Sequence, residues 1–314
     1  MSTWRQFEIL AETIYGELSP SAQVVLNDHI RGKLSEIDRQ IDVSIRWQDN
    51  GQEYLTIVDT KDYRRPADVP DVGQFAELVH DVQASGGILV CASGFTKAAH
   101  TYARNRGLQL HNLHDAQSVR WSHALTIPIL WTDLTPNVSF HMLGRFEAGD
   151  QISGQDDSYY AVSAAGERRQ ISVLATFAHL WNDGLAERSV GPTHRIHSRE
   201  PVEVKVIDIN GAVSWRPLID PQIVYEVASR SWLGQFQPSE CRGLIDHLDD
   251  NAFVVSHLPI GQVPAKRDES WVVIDDPSNL AVTLKGTFVT TEHVVHLDPN
   301  SAEFSDFWAR YLGS

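Results

Sequence analysis

Two β-rich segments, residues 40–47 (QIDVSIRW) and 53–61 (EYLTIVDTK), are joined by Asp49-Asn50-Gly51. Asn-Gly between two such segments is a strong short-range hairpin signal, because both turn positions must accept positive φ. The hairpin commits this stretch to an antiparallel pair. It also brings Asp42, on the first strand, beside the end of the second, where Asp59-Thr60-Lys61 lies. Any fold for the chain must therefore gather three charged side chains at one edge of a sheet.

The surrounding segments extend that sheet. Trp4, Phe7, Leu10, Ala11 and Ile14 fall at helical spacing over residues 4–17, and Pro20 follows as a stop. A short strand is expected at Val24–Leu26 and a second helix over about residues 69–84, with Val72, Phe75, Leu78, Val79 and Val82 on one stripe. Residues 87–91 read as a buried strand. Thr96 suits the N-cap of a helix over 97–106, Gly107 ends it, and residues 108–110 form a last short strand. Helix, strand, hairpin, helix, strand, helix, strand makes a mixed sheet flanked by helices on both faces.

Beyond a boundary near 115–125 the pattern changes. Short β-like stretches at 125–131, 138–146, 202–209, 252–258, 271–275 and 280–289 are separated by turn residues, with one clear helix around 171–182. The expected division is an α/β domain over 1–118 and a β-rich recognition, regulatory or oligomerisation domain over 119–314.

Composition narrows the function classes. No run of about 18 apolar residues occurs, which excludes a spanning helix and any membrane partner of that kind. The N-terminus lacks the basic start and apolar stretch of a signal peptide, and the two cysteines, Cys91 and Cys241, form no CxxC motif, so a reduced, cytoplasmic protein is expected. The net charge of −15 opposes phosphate binding if spread evenly. It is not: residues 1–120 hold 12 Lys+Arg against 16 Asp+Glu, while residues 121–314 hold 14 against 25. Candidate nucleic-acid contacts in the less acidic part are Arg31, Lys33, Arg39, Arg64, Arg65 and Lys97.

An acid-x-Lys triplet means nothing alone. With 41 Asp+Glu and 6 Lys in 314 residues, about one is expected by chance. Glu203-Val204-Lys205, the other instance, follows Pro201 and has no Asp-bearing strand turned tightly onto it. Asp59-Thr60-Lys61 differs in context. Residues i and i+2 of a strand share a face, and the hairpin adds Asp42 to them. Two carboxylates held together repel, and a hard divalent cation relieves that repulsion. Mg²⁺ bound there would activate water for attack on a phosphodiester, with Lys61 orienting the water or neutralising the charge that develops. His194-x-x-His197 and His293-x-x-His296 lack the cysteines or helical Glu of zinc motifs and read as ordinary histidines.

Five ordered pieces carry a more specific signal: Phe7-Glu8 in the first helix, Arg39-Gln40-Ile41-Asp42-Val43, Ile57-Val58-Asp59-Thr60-Lys61-Asp62-Tyr63, Asp71-Val72-x-x-Phe75, and Gly94-Phe95-Thr96-x-x-Ala99-x-x-Tyr102-Ala103. In this order the first 118 residues resemble the Mrr-type restriction endonuclease domain of the PD-(D/E)xK nucleases. The resemblance implies a restriction-endonuclease-like α/β fold and DNA cleavage in restriction or phage defence. It implies Mg²⁺, or Mn²⁺ in its place, on Asp42, Asp59 and the Thr60 backbone carbonyl, and Lys61 at the attacking water. Glu8 matches a helical glutamate that faces the metal site in such domains and is expected as a further catalytic and metal residue, with Glu12 one turn along as its competitor. One departure is that the middle acid, more often Glu or Gln, is here the shorter Asp59. Duplex cleavage needs two centres, so the expected partners are DNA, a second copy in a homodimer or larger homo-oligomer, and a defence-system protein. The alternative is an inactive nuclease fold kept as a binding or sensor module.

Overall fold

The computed structural model describes residues 3–152, 158–279 and 286–299. In chain order its regular elements begin with α1 (Thr3–Leu18), β1 (Gln23–Arg31), β2 (Asp38–Asp49), β3 (Gln52–Lys61), α2 (Val69–Val82), β4 (Gly86–Cys91), α3 (Lys97–Arg106) and β5 (Gln109–Asp115). There follow β6 (Ile127–Gly144), β7 (Gln151–Ile152), β8 (Tyr159–Val162), β9 (Arg168–Ile171), α4 (Val173–Asn182), β10 (Thr193–His197), β11 (Val202–Ile207) and β12 (Val213–Phe236). The last are β13 (Arg242–Asp246), β14 (Ala252–His257), β15 (Val272–Ile274) and β16 (Val289–Val294). No helix among the described residues is long and apolar enough to cross a membrane.

The chain divides into two compact units, the first comprising residues 1–130, 233–272 and 276–289, the second 131–232, 273–275 and 290–314. The first unit holds a seven-stranded sheet in the order β1-β2-β3-β4-β5-β13-β14. Its β2–β3 hairpin closes through Asn50 (φ 50°) and Gly51 (φ 80°), the two positive φ values that the Asn-Gly signal requires. β3, β4 and β5 run parallel, linked by α2 and α3 as crossovers. Helices cover both faces. Phe7, Leu10, Ala11 and Ile14 of α1 pack on Val43, Ile45, Val58, Ile88 and Val90. Val72, Phe75, Ala99 and Ala103 of α2 and α3 pack on Ile41, Ile57, Leu89 and Leu110 opposite.

The helices begin and end where side-chain chemistry supplies the missing hydrogen bonds. Asp68 and Asp71 form a capping box at the start of α2, and Gln83 closes it in the left-handed region (φ 54°). The Thr96 hydroxyl accepts from the Ala99 N–H, and Gly107 (φ 67°) caps the end of α3. Asp81, near the end of α2, accepts from the backbone N–H groups of Leu34 and Ser35, the Ser35 hydroxyl and Arg39 Nε, and so fixes the turn between β1 and β2.

Expectations from the sequence differ from the structure in three places. A single break between 118 and 119 does not describe the units, because β13 and β14 add to the β5 edge of the first sheet, antiparallel, with Leu244 opposite Leu113. The stretch 252–258, read from sequence as part of the β-rich half, is β14 of this sheet. The stretches 125–131 and 138–146 are one 18-residue strand, β6. Of the stretch 280–289, residues 280–285 lie outside the described residues. The second unit is β-rich, with α4 packing Phe177 and Trp181 against Val204, Val206, Tyr225 and Val227.

Candidate active site

Asp42 sits where β2 changes its facing. Ile41 packs with α2 and Val43 packs with α1, although residues two apart in a regular strand share a face. The residue across from Asp42 on β1, between the paired Leu26↔Val43 and Asp28↔Ile41, is Asn27 in the left-handed region (φ 52°). The β2–β3 ladder reaches Val43↔Val58, and Asp42 and Asp59 are the next residues outward on the two strands. This local turn-over was not legible in the apolar pattern.

The predicted residues Asp42, Asp59 and Lys61 come together. Asp42 Oδ2 accepts from the Thr60 backbone N–H at 2.7 Å and from the Thr60 hydroxyl at 2.9 Å. Lys61 Nζ lies 2.7 Å from Asp59 Oδ2, with both side chains about one-fifth exposed (22% and 18%). The Asp42 carboxyl is near enough to Asp59 to act on its protonation. Burial, with the neighbouring Asp42 charge, pushes the Asp59 carboxyl up to about 6 despite Lys61 beside it. Burial opposes the Lys61 ammonium, but Asp59 and Asp42 outweigh it, and its pKa is raised, so Lys61 stays charged.

Glu8 of α1 is buried, 4.0 Å from Arg5 Nη1, and its carboxyl is pushed up by burial and by Asp42, with a smaller effect from Asp59. Glu8 is thus a helical acid that senses the pair. It does not complete a three-acid cluster: among the described residues no group of three His, Cys, Asp or Glu is gathered as metal ligands. Thr60 lies between the two charged positions of β3 and opposite Val90 of β4. Next along the chain, Asp62 Oδ1 forms an ion pair with Arg120 Nη2 at 2.8 Å, a partner that no sequence spacing suggested.

The candidate nucleic-acid contacts separate into two groups. Arg39 is bound to Asp81, Arg65 makes a bidentate pair with Asp71, and Arg31 lies 3.9 Å from Asp38. Lys33, Arg64 and Lys97 are exposed and carry no ion pair among the described residues. The histidine pairs of the second unit make ordinary polar contacts, His197 with Asp220 and His293 with Asp133.

The two carboxyls are hard oxygen donors, with the Lys61 ammonium as a proton-carrying neighbour. Such a set suits Mg²⁺ or Mn²⁺ better than zinc, which favours nitrogen and sulfur. Partial protonation of Asp59 fits as well, since a cation would replace that proton.

Comparison with known proteins places the N-terminal part. Residues 1–118 match the restriction endonuclease family Mrr_cat. No curated protein matches the chain. Three solved structures align over about a third of it. A protein of unknown function, AF1548, is 15% identical over 35% of this chain and 57% of its own (TM-score 0.28). The DNA modification-dependent restriction endonuclease AspBHI is 19% identical over 33% of this chain and 27% of its own (TM-score 0.25). The MspJI restriction endonuclease, in complex with a 27-mer oligonucleotide, is 18% identical over 35% of this chain and 26% of its own (TM-score 0.26). This chain thus spans little more than half of the first and about a quarter of the other two.

Proposed function

We infer that the protein is a metal-dependent endodeoxyribonuclease that hydrolyses DNA phosphodiester bonds in a restriction or phage-defence setting. The restriction endonuclease family match over residues 1–118 supports a nuclease. The observation that carries the finer reading is the convergence of Asp42, Asp59 and Lys61 at the end of one hairpin, with one carboxyl held by Thr60 and the other by Lys61.

In this reading Asp42, Asp59 and the Thr60 carbonyl hold Mg²⁺, or Mn²⁺ in its place. A hard divalent cation bound there neutralises the two carboxylates and stabilises negative charge developing on a phosphate. The protein's own groups do the rest. Thr60 fixes the rotamer of Asp42 through two hydrogen bonds on one oxygen, which presets the acid before any ligand arrives. Lys61, kept protonated by Asp59, donates from Nζ to an attacking water or to the charged phosphoryl oxygens. Glu8, whose carboxyl burial and Asp42 push up, faces the pair from α1 as a further acid for the metal. Lys33, Arg64 and Lys97 meet the DNA backbone, while Arg39 and Arg65 stabilise the turns that present the site. A homodimer or larger assembly supplies the second centre, with a defence-system protein as a further partner.

The inactive binding or sensor module is favoured by one observation, that no third acid joins the pair. Supercoiled and linear DNA, incubated with the protein and Mg²⁺, Mn²⁺ or EDTA alongside Lys61→Ala and Asp59→Ala, separates the readings. Metal-dependent cutting lost in both variants supports the nuclease. Absence of cutting of unmodified, methylated and phage DNA, together with no thermal stabilisation by either metal, would leave the binding module.

A further inference from the structure

A cation outside the matched residues reaches the end of β3. Val58 packs on the side of the sheet that α1 covers, and Thr60, two residues on, shares that side, where its hydroxyl bonds Asp42. Asp62 follows Lys61 at the end of the strand, with its side chain only 7% exposed, and meets Arg120 Nη2 at 2.8 Å. Arg120 lies two residues beyond the family match. Trp121, next to it, packs on Phe7 of α1, and Phe7 precedes Glu8, whose carboxyl feels Asp42 and Asp59. Arg120 therefore arrives on the same side of the sheet as Glu8 and the Thr60 hydroxyl.

The turn that carries Arg120 is fixed at both ends. The Asp115 N–H donates to the Trp121 carbonyl, and the Ser118 hydroxyl oxygen accepts from the Arg120 and Trp121 N–H groups. The guanidinium is 37% exposed and donates no hydrogen bond among the described residues, and Asp62 Oδ1, though buried, accepts none. Charge alone holds the pair, so the five N–H donors of Arg120 are uncommitted. Arg39 and Arg65 differ, because their donors are spent on Asp81 and Asp71. A guanidinium already positioned on one side and open on the other loses little freedom on taking an oxyanion, and its planar fork matches two phosphate oxygens. Asp42, Asp59 and Glu8 against Lys61 alone leave this edge short of the cations that a DNA backbone requires.

We propose that Arg120 binds a DNA phosphate next to the one that meets Asp42, Asp59 and Lys61, with Asp62 setting the position of its guanidinium. The assignment rests on the reading of this edge as a DNA-cleaving centre. Arg120 holds the backbone in place there and takes no part in breaking the bond.

Fluorescence anisotropy of labelled duplex DNA with the full chain tests it, with Ca²⁺ in place of Mg²⁺ or Mn²⁺ and salt varied over about 50–200 mM. Arg120→Ala should weaken binding about fivefold to tenfold on any sequence and lower the slope of log affinity against log salt by about one. Arg120→Lys should keep the slope and recover part of the affinity. Because Arg120→Ala strands the buried Asp62 carboxylate, the double variant Asp62→Asn/Arg120→Ala is measured beside it. Its net charge stays at −15, yet its slope should fall by the same amount. A pair that only ties the turn to the strand would lower the melting temperature and leave the slope of folded protein unchanged. In cleavage assays Arg120→Ala should raise KM and keep kcat within about twofold. The proposal is overturned if the intact chain shows no salt-dependent DNA binding, or if both folded variants match it in affinity and slope. Unchanged binding by the variants while the intact chain still cuts would sink this assignment and leave the nuclease reading standing. Binding that depends on Arg120 without any cutting would do the reverse.

Discussion

At the scale of single residues the candidate site is a balance between burial and neighbours. The Asp59 carboxyl is pushed to about 6 by burial and Asp42, so below that pH a proton occupies the place a cation would take. Mn²⁺ affinity is therefore expected to fall close to tenfold per pH unit as pH drops below about 6, read by calorimetry between pH 5 and 8; a flat profile would place the metal elsewhere. The effect on metal-free stability has the opposite sign. A carboxyl whose folded pKa lies above its unfolded value of 3.8 contributes stability fully below 3.8, and that contribution is lost as pH rises through about 6. Asp59→Asn should remove this part of the pH dependence of melting.

Thr60 acts through Asp42. Its backbone N–H keeps one hydrogen bond to Oδ2 whatever the side chain, whereas the hydroxyl supplies the second at 2.9 Å. Thr60→Val should weaken metal binding by about tenfold, the lower end for loss of an orienting partner. Thr60→Ser should restore it, which a purely structural role for the γ-methyl would not predict.

Among the secondary-structure elements, α1 closes one face of the first sheet and carries both Glu8 and Tyr15. Phe7 is fully buried and meets the Trp121 ring at 5.2 Å. Phe7→Ala is expected to lower unfolding stability by about 3–5 kcal/mol, the range for large aromatic truncations in cores, as measured by urea denaturation. Retained stability would mean α1 is not docked as described. The elements legible in the sequence share a property: their signals are local. The Asn50-Gly51 turn, the Thr96 cap and the Gly107 stop each declare themselves within four residues, and the structure places them as read. The meeting of Asp42 with Asp59 followed from the hairpin register. What could not be read depends on distant partners. The facing change at Asp42 involves Asn27 on another strand. The pairing of His111 with Asp246 joins residues 135 positions apart through β5 and β13. Nothing in the local pattern of 242–257 distinguishes a strand of the first sheet from one of the second.

For the whole molecule, that long-range pairing decides what can be cut away. The family match ends at residue 118, but β13 and β14 complete the sheet beyond β5. Arg242 of β13 and Ser256 of β14 both reach Glu17 of α1, so the added strands are tied to the helix as well as to the sheet. A fragment of residues 1–118 would turn β5, with its buried Leu110, Leu113 and His114, into an unprotected edge, the arrangement that invites aggregation. The segment 131–232 behaves differently. Near its two ends Thr132 and Ser231 hydrogen-bond through their hydroxyls at 2.9 Å, so this segment begins and ends at neighbouring points. Replacing 131–232 by a short Gly/Ser linker, about six residues, and ending the chain at residue 289, so that β16 is not left without its partner β6, closes only a small gap at modest entropic cost. The linker protein is expected to be monodisperse and to unfold in one cooperative thermal transition. The 1–118 fragment should aggregate, or melt far below the intact chain. Equal melting of the fragment and the linker protein would show that β13 and β14 are dispensable to the sheet. It would also return the boundary of the first unit to the end of the family match.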